Sequence, residues 1–196
     1  MRRGCAPHNN LGGSSVRFKV MSMDALEWET GSVDAVMSRM GALMMGDPEL
    51  TAREAARVLV PGGRIAIAVW GTIDMHPAMS LGLRSLGSVL PTDQMPDLSV
   101  LNDLAAPGVR DGLLRKAGLS AVESRTIDWI FTRPDFDSWW SFVRAVPGPM
   151  QEAFDRLGQD SLGRARATMA ELAAPYRLRD GSYEFPVACQ LLTGRR

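Results

Sequence analysis

Residues 54–71, EAARVLVPGGRIAIAVWG, limit the folds open to this chain more than any other stretch. A helical pattern precedes Pro61-Gly62-Gly63, and a nearly continuous apolar run follows at residues 64–70. Proline and glycine end helices, and glycine accepts the left-handed backbone found just past a helix end. An apolar run without polar alternation is typical of a strand that is buried on both faces of a sheet. The stretch therefore predicts a helix-to-strand connection in an α/β domain.

The remaining sequence predicts strands and helices in alternation, which indicates an α/β fold with a parallel sheet. A length of 196 residues suits one domain. The last two predicted strands are joined through helices, so an antiparallel edge is expected at the C-terminus. Strands are predicted at residues 16–21, 32–40, 64–70, 120–131 and 182–194, and helices at 47–60, 77–90, 107–119, 133–146 and 149–176.

Composition excludes several classes of function. The 22 basic and 22 acidic residues cancel, which argues against a nucleic-acid-binding protein. The two cysteines, Cys5 and Cys189, and the two histidines follow no metal-ligand spacing, so no metal is expected. No apolar run approaches the roughly 20 residues of a membrane helix, and the first 15 residues lack a signal-peptide pattern. A cytoplasmic protein that makes no membrane contact is therefore expected.

Three sequence blocks, in one order, carry a resemblance to a known family. The first is Asp24-Ala25 followed by Leu26 and Trp28, and the second is VDAVMSRMG at residues 33–41. The third block consists of Glu54, Arg57, Val58, Leu59, Pro61, Gly62 and Gly63. Over about residues 16–196 the chain resembles the class I S-adenosylmethionine-dependent methyltransferases of the type 11 group. The resemblance implies a Rossmann-like fold with a mostly parallel sheet, an antiparallel C-terminal edge strand and a helical lid.

The sequence departs from this family at the cofactor site. The family opens with a strand that ends in an acidic residue and a Gly-x-Gly turn, which lets the backbone approach the cofactor. No Gly-x-Gly occurs in the 196 residues. We therefore expect an incomplete methyltransferase-like domain that lacks the first two strands. Its parts are a loop or frayed helix end at 1–15, the remaining core of the cofactor half at 16–71, lid helices and substrate region at 72–181, and the final strand at 182–196.

An incomplete sheet is expected to expose an unpaired strand edge, because backbone N–H and C=O groups without partners are costly when buried. Residues 16–21 pairing directly with 32–40 would cover that edge. So would the pairing of two chains, or a second polypeptide. A longer natural chain is the fourth alternative. We expect a homodimer or another pairing through the exposed edge.

The resemblance implies S-adenosylmethionine as the cofactor, although the missing glycine turn predicts that these residues alone bind it weakly. In the family, the carboxylate at Asp24 faces the adenine amino group and the N–H at Ala25 faces the ring. Capping of the turn before residues 26–28 is the alternative for Asp24, and core packing is the alternative for Met40. The residues implied at the cofactor are Met23, Asp24, Ala25, Ser38, Arg39 and Met40.

The substrate side is predicted from residues that follow strand 64–70. His76 is the candidate general base, because imidazole titrates near neutral pH, and Asp74 is close enough in sequence to orient it. An exposed loop histidine without a chemical role is the alternative. Aromatic and methionine side chains commonly line apolar pockets, but core packing is the alternative for each. The residues predicted to contact substrate are Trp70, Met79, Trp139 and Trp140.

Three functions follow from this sequence. The first is a small-molecule methyltransferase of secondary metabolism, or an N-terminally truncated relative, acting on an apolar substrate. The second is a cofactor-independent cyclase or isomerase of natural-product biosynthesis on the same scaffold. The third is a non-catalytic subunit that pairs with a complete homologue. Nothing in the sequence identifies the substrate.

Overall fold

The structure, a computed structural model, describes residues 16–44 and 46–196. The prediction for residues 1–15 lies outside the described residues. The strands are β1 (Val33–Arg39), β2 (Leu59–Trp70), β3 (Ser120–Arg133) and β4 (Tyr183–Arg195). The helices are α1 (Pro48–Val58), α2 (Pro77–Leu86), α3 (Ser99–Ala105), α4 (Val109–Lys116), α5 (Phe136–Ala145), α6 (Pro149–Asp155) and α7 (Gln159–Leu172). Single 3-10 turns occur at Ile73–Met75, Thr92–Gln94 and Ala174–Tyr176.

The four strands form one sheet in the order β1-β2-β4-β3. Strands β1 and β2 are parallel, whereas β4 is antiparallel to both β2 and β3. The α/β architecture is confirmed, but the sheet is not mostly parallel in the described part. The C-terminal strand β4 lies inside the sheet, and the edge position belongs to β3. A short turn cannot join parallel strands, so α1 connects β1 to β2.

The strand predicted at residues 16–21 is absent. These residues form neither helix nor strand, and the side chain of Val20 is 98% exposed. A strand needs a neighbour for its backbone hydrogen bonds, and β1 pairs only with β2 among the described residues. The outer edge of β1 is therefore unpaired in the part of the chain that the structure describes.

Helix α1 begins as the sequence predicts. The Asp47 side chain accepts hydrogen bonds from the backbone N–H groups of Glu49 (2.8 Å) and Leu50 (3.0 Å), and Pro48 occupies the first turn. The helix ends at Val58, two residues before the predicted end. Strand β2 already includes the Pro-Gly-Gly segment, where Gly62 has a φ of +81°. Its N–H donates to the carbonyl oxygen of Arg196 at 2.9 Å, which fixes the C-terminus against this turn.

Two hydrophobic cores flank the sheet. The first lies between α1, α4 and one face of β2 and β4, and it contains Ala55, Ile65, Ile67, Leu114 and Leu192. The second lies between α2, α5, α6, α7 and the far ends of β3 and β4, and it contains Leu81, Trp139, Phe154, Met169 and Phe185.

Candidate active site

The carboxyl ends of β1 and β2 point to the same edge of the sheet, because the two strands are parallel. Arg39 ends β1 and pairs with Ala68, two residues before β2 ends at Trp70. Ligands of open α/β sheets bind beyond such ends. The loops at residues 40–44 and 71–76, which follow these two strand ends, are therefore the candidate site.

The loop after β1 holds an unusual backbone. Met40 and Leu43 have φ angles of 57° and 61°, in the left-handed region that non-glycine residues rarely adopt. The Ser38 hydroxyl oxygen accepts a hydrogen bond from the Ala42 N–H at 3.0 Å. The Met40 side chain is half-buried and Arg39 is exposed. Ser38 thus holds the loop together, while the guanidinium of Arg39 faces solvent.

Asp24 fastens the preceding turn to the start of α1. Its Oδ1 accepts a hydrogen bond from the Thr51 hydroxyl at 2.6 Å, and its Oδ2 accepts one from the Asp47 N–H at 3.1 Å. These hydrogen bonds, first that from Thr51, lower the pKa of Asp24. The carboxylate also lies against Gly46, where a Cβ would come within 2.5 Å of Oδ2. A side chain at Gly46 would push Asp24 away.

The neighbours of Asp24 are also engaged within the protein. The Ala25 N–H donates to the Ser22 carbonyl oxygen at 3.4 Å, which closes a small turn. The half-buried Met23 packs against the first core and lies close to Gly41. Both residues therefore hold the loop in place before β1.

These contacts show how far the residues fit S-adenosylmethionine. The adenine contacts implied by the resemblance need an oxygen of Asp24 and the N–H of Ala25. The single N–H of Ala25 already donates within the protein, whereas each Asp24 oxygen has one donor and can accept a second. The Gly-x-Gly turn that would receive the other end of the cofactor does not occur in the 196 residues. The described residues do not fit S-adenosylmethionine as a complete site.

His76 lies buried beneath Trp70. The two rings meet edge to face with centroids 4.5 Å apart, and Trp129 lies 5.9 Å from Trp70 on the same sheet face. Burial lowers the pKa of His76 to about 4, so the imidazole is neutral at pH 7. Its Nε2 atom has no hydrogen-bond partner among the described residues. Asp74 lies on the exposed 3-10 turn, and the hydrogen bonds of the described part include none between Asp74 and His76.

Sequence reasoning missed Arg110, a fully buried cation. One terminal nitrogen donates to the Trp70 carbonyl oxygen at 2.8 Å and to the Gln190 side-chain oxygen at 2.9 Å. Burial lowers the pKa of this guanidinium. Arg110 therefore anchors the end of β2 to α4 and β4. A signal was present, because Arg110 precedes the buried Leu114 by four residues and shares its helix face.

An open cleft of about 530 Å³ lies beside the end of β2. The 3-10 turn forms one wall, and the paired strands β3 and β4 form the other. Two carboxylates, Asp74 and Asp128, line it, and none of its lining residues is basic. Burial, followed by the nearby charge of Asp128, raises the pKa of the Cys189 thiol. The full lining is Asp74, Met75, Pro77, Asp128, Trp129, Ile130, Pro186, Val187 and Ala188.

The structure separates the residues predicted to contact substrate. Trp70 and its neighbour Trp129 lie near the cleft, whereas Trp139 and Trp140 are buried in the second core. The Trp139 indole N–H donates to the Ala78 carbonyl oxygen at 2.9 Å. Met79 packs partly buried against the same core. Trp139 and Trp140 are core residues because the spacing along α5 turns both toward the sheet, and they do not line the cleft.

The helices predicted as a lid belong to that core as well. Side chains of α2 and α5 pack together over the far ends of β3 and β4. Helix α2 nevertheless begins at the cleft, since Pro77 is one of its lining residues. No group of three or more His, Cys, Asp or Glu side chains within residues 16–44 and 46–196 could hold a metal ion. No helix in the described ranges is long and apolar enough to cross a membrane.

A comparison with protein families identifies the scaffold. Residues 2–67 match the family described as methyltransferase domain. The resemblance to the class I S-adenosylmethionine-dependent methyltransferases is confirmed. The YcgJ protein from Bacillus subtilis is structurally similar, with a TM-score of 0.50 at 18% sequence identity. That match covers 93% of this chain and 72% of YcgJ, and it shows the Rossmann-like methyltransferase fold.

Two further structures share lower similarity with this chain. BH2331 from Bacillus halodurans C-125, described as a methyltransferase candidate, has a TM-score of 0.49 at 16% identity. That match covers 89% of this chain and 69% of BH2331. The [4+2]-cyclase SpnF has a TM-score of 0.45 at 14% identity, with 91% of this chain and 55% of SpnF covered. The chain therefore spans little more than half the length of SpnF. None of the curated proteins matches the sequence.

Proposed function

We propose that this chain provides the acceptor-binding side of a small-molecule methyltransferase, and that the acceptor is an apolar amine. The observation that carries the proposal is the cleft beside the end of β2. It combines apolar walls with two carboxylates and no basic lining residue. The sequence analysis predicts a substrate from natural-product biosynthesis, and we include that substrate class in this proposal.

The residues that line the cleft favour a ligand that joins a positively charged group to an apolar group. Ile130 is 53% exposed, and together with Met75 and Pro186 it offers an apolar surface to water. Asp74 and Asp128 supply negative charge at the same cleft. An amine on an aromatic or aliphatic body matches these two features together.

The chain's own contribution to a reaction is alignment. Holding an acceptor in one orientation replaces a random encounter between two molecules, and this effect accounts for much of the rate gain in group transfer. Arg110 keeps the end of β2 in place by its bond to the Trp70 carbonyl oxygen. His76 supports the ring of Trp70 from below. We propose that both act as positioning residues for the rim of the cleft.

The general-base role of His76, with Asp74 orienting it, stays a prediction. A pKa near 4 makes a weak base at neutral pH, which favours the supporting role over proton transfer. The two roles differ in their pH profiles. A base at this pKa produces a rate that rises with pH through about 4, whereas a supporting ring produces no such step.

The incomplete fit to the cofactor favours a second candidate function. The Gly-x-Gly turn of the family does not occur in the 196 residues, so the cleft is also a candidate for a reaction that needs no S-adenosylmethionine. In that case the chain would hold one apolar substrate in a reactive shape, as a cyclase or isomerase does. Conversion of a substrate in the absence of the cofactor would establish this candidate.

Calorimetric titration with phenethylamine tests the acceptor proposal. We expect saturable binding, and we expect 2-phenylethanol, its neutral analogue, to bind about ten-fold more weakly. Asp128→Asn should weaken phenethylamine binding to a similar degree. Asp93→Asn changes an exposed carboxylate outside the lining and is the matched control. Equal binding of amine and alcohol, or an unchanged affinity in Asp128→Asn, would contradict the proposal.

A further inference from the structure

The described residues leave one face of the sheet incompletely covered over β1, β2 and the adjoining part of β4. The strand register places Met37, Ala66 and Thr193 in one row across the sheet, and Arg39, Ala68 and Leu191 in the next. Side chains alternate between the two faces along each strand, so these two rows share one face. We call this surface the open face.

The opposite face of the same strands is fully packed. Ile65, Ile67 and Leu192 are buried there under α1 and α4. On the open face, Met37 is 86% exposed, and Ala66 and Ala68 are only half-buried. The apolar run 64–70 predicts burial on both faces of β2, yet the described residues bury only one. An inner strand of an α/β sheet normally has a helical layer on each side.

Four arginines surround the apolar centre of the open face. Arg64 and Arg195 lie directly opposite each other on neighbouring strands, and Arg39 and Arg125 lie at the two ends of the row through Ala68. Like charges in opposed positions are unfavourable in a sheet. None of the four takes part in a salt bridge among the described residues.

Among the described residues of β1, β2 and the paired parts of β3 and β4, one acid shares this face. Glu123 pairs in register with Thr193 at the edge strand, so it lies on the open face as well. One carboxylate leaves the four arginines with a clear positive excess. The open face thus joins small apolar side chains at its centre to a positively charged border.

We propose that the open face binds an amphipathic helix of a partner polypeptide, with a small apolar stripe flanked by acidic residues. The alanines at the centre let a helix backbone approach closely, and acidic flanks would pair with the four arginines. The stretch from Arg64 to Trp70 is about 20 Å long, which matches a helix of about 13 residues.

Charge decides between this partner and a second copy of the chain. Two open faces packed on each other would place arginine against arginine. Pairing of two copies at the β1 edge would extend the sheet sideways and leave the open face of each copy without a covering layer. An amphipathic helix with acidic flanks can bury the apolar centre and pair with the arginines around it.

A designed peptide tests the proposal on the intact chain. The probe is a helical peptide of about 14 residues with alanine and leucine on one side and glutamate on both flanks. We expect amide exchange of residues 64–70 to slow when the peptide is added. We also expect the Arg39→Glu/Arg125→Glu variant to lower the peptide affinity by about ten-fold or more. Replacing the glutamates by glutamine should weaken binding similarly.

The matched control is Arg156→Glu/Arg179→Glu, which makes the same charge change at two exposed arginines away from the open face. Circular dichroism of both variants confirms that they fold. Binding equally weakened in the control, or no slowing of exchange at about 1 mM peptide, overturns the proposal. So does binding of the wild-type chain to phosphatidylserine vesicles but not to the peptide. A dimer that disappears in Arg125→Glu alone, on β3 and away from the β1 edge, would assign the face to a second copy and also overturn it.

Discussion

Arg57 holds Glu54 and the loop before β1 at the same time. Its Nε donates to Oε1 of Glu54 at 2.7 Å, and one terminal nitrogen donates to the Trp28 carbonyl oxygen at 2.8 Å. Oε2 of Glu54 accepts a hydrogen bond from the Leu26 N–H at 2.8 Å. The two charged residues of the family block, three positions apart on α1, therefore fasten residues 26–30 to the helix. Their role in this structure is to fix the loop.

Glu54→Gln tests this arrangement. Glutamine keeps one oxygen but loses the charge that pairs with Arg57, so we expect the free energy of unfolding to fall by about 1–2 kcal/mol. Glu27→Gln is the control, because Glu27 and its partner Lys19 are both exposed. Urea unfolding followed by circular dichroism measures both. Equal midpoints for the two variants would show that the Glu54 contacts do not stabilise the fold.

Gly46→Ala should disturb the turn around Asp24. Gly46 has a φ of +71°, and an added Cβ would lie 2.5 Å from Oδ2 of Asp24. Gly108 has a φ of +79° with no atom within 4 Å of such a Cβ, so Gly108→Ala has the backbone strain alone, about 1 kcal/mol. We expect the thermal midpoint to fall further in Gly46→Ala than in Gly108→Ala. The reverse order would mean that Asp24 moves aside freely.

Acid should destabilise the chain through His76. The unfolded imidazole takes up a proton near pH 6.5, whereas the buried one does so only near pH 4. The unfolded state therefore binds more protons between these values, and stability falls as the pH drops from 6.5 to 4. The full effect is about 3 kcal/mol at most. The comparison is made by urea unfolding at pH 7 and pH 5.

His76→Gln removes this contribution. We expect the wild-type chain to lose more stability than the variant between pH 7 and pH 5. The carboxylates with lowered pKa values, such as Asp24 and Glu54, add little in this window because they stay ionised. A pH dependence that is the same in both proteins would show that His76 is accessible to protons in the folded state.

Self-association is expected through the edge of β1, which has no partner strand in the described part of the chain. Strand edges with free N–H and C=O groups pair with other strands, and a net charge of zero does not oppose the contact. Sedimentation velocity at tens of micromolar should show a dimer. Met37→Lys places a charge on this edge strand and should shift the equilibrium toward monomer, whereas Leu178→Lys, at another exposed apolar residue, should not. A monomer in the wild-type chain would contradict the prediction.

Local signals predicted much of this fold. The Asp47-Pro48-Glu49 start of α1 and the two long C-terminal strands follow from capping residues and apolar patterns in the nearby sequence. The order of the strands does not follow from such local signals. The position of β4 between β2 and β3 depends on pairing between segments that are distant in sequence. The same reason explains residues 16–21, which have the composition of a strand but lack a partner strand in the described part.

The site was less predictable than the fold. Sequence reasoning placed Trp70, Asp74 and His76 at the end of β2, where the structure has them, but composition alone could not separate Trp70 from the core residue Trp139. The far wall of the cleft, including Asp128, comes from β3 and depends on its register with β4. That register is a tertiary property. Arg110 was missed because charged residues are rarely buried without a charged partner.

A paired titration of the same chain with S-adenosylmethionine and with phenethylamine tests the central claim most directly. The account predicts saturable binding of the amine, weakened in Asp128→Asn, because the cleft is built from residues of this chain. It predicts weak or undetectable binding of S-adenosylmethionine, because the described residues do not form a complete site for it. Micromolar affinity for S-adenosylmethionine together with no binding of the amine would contradict the account.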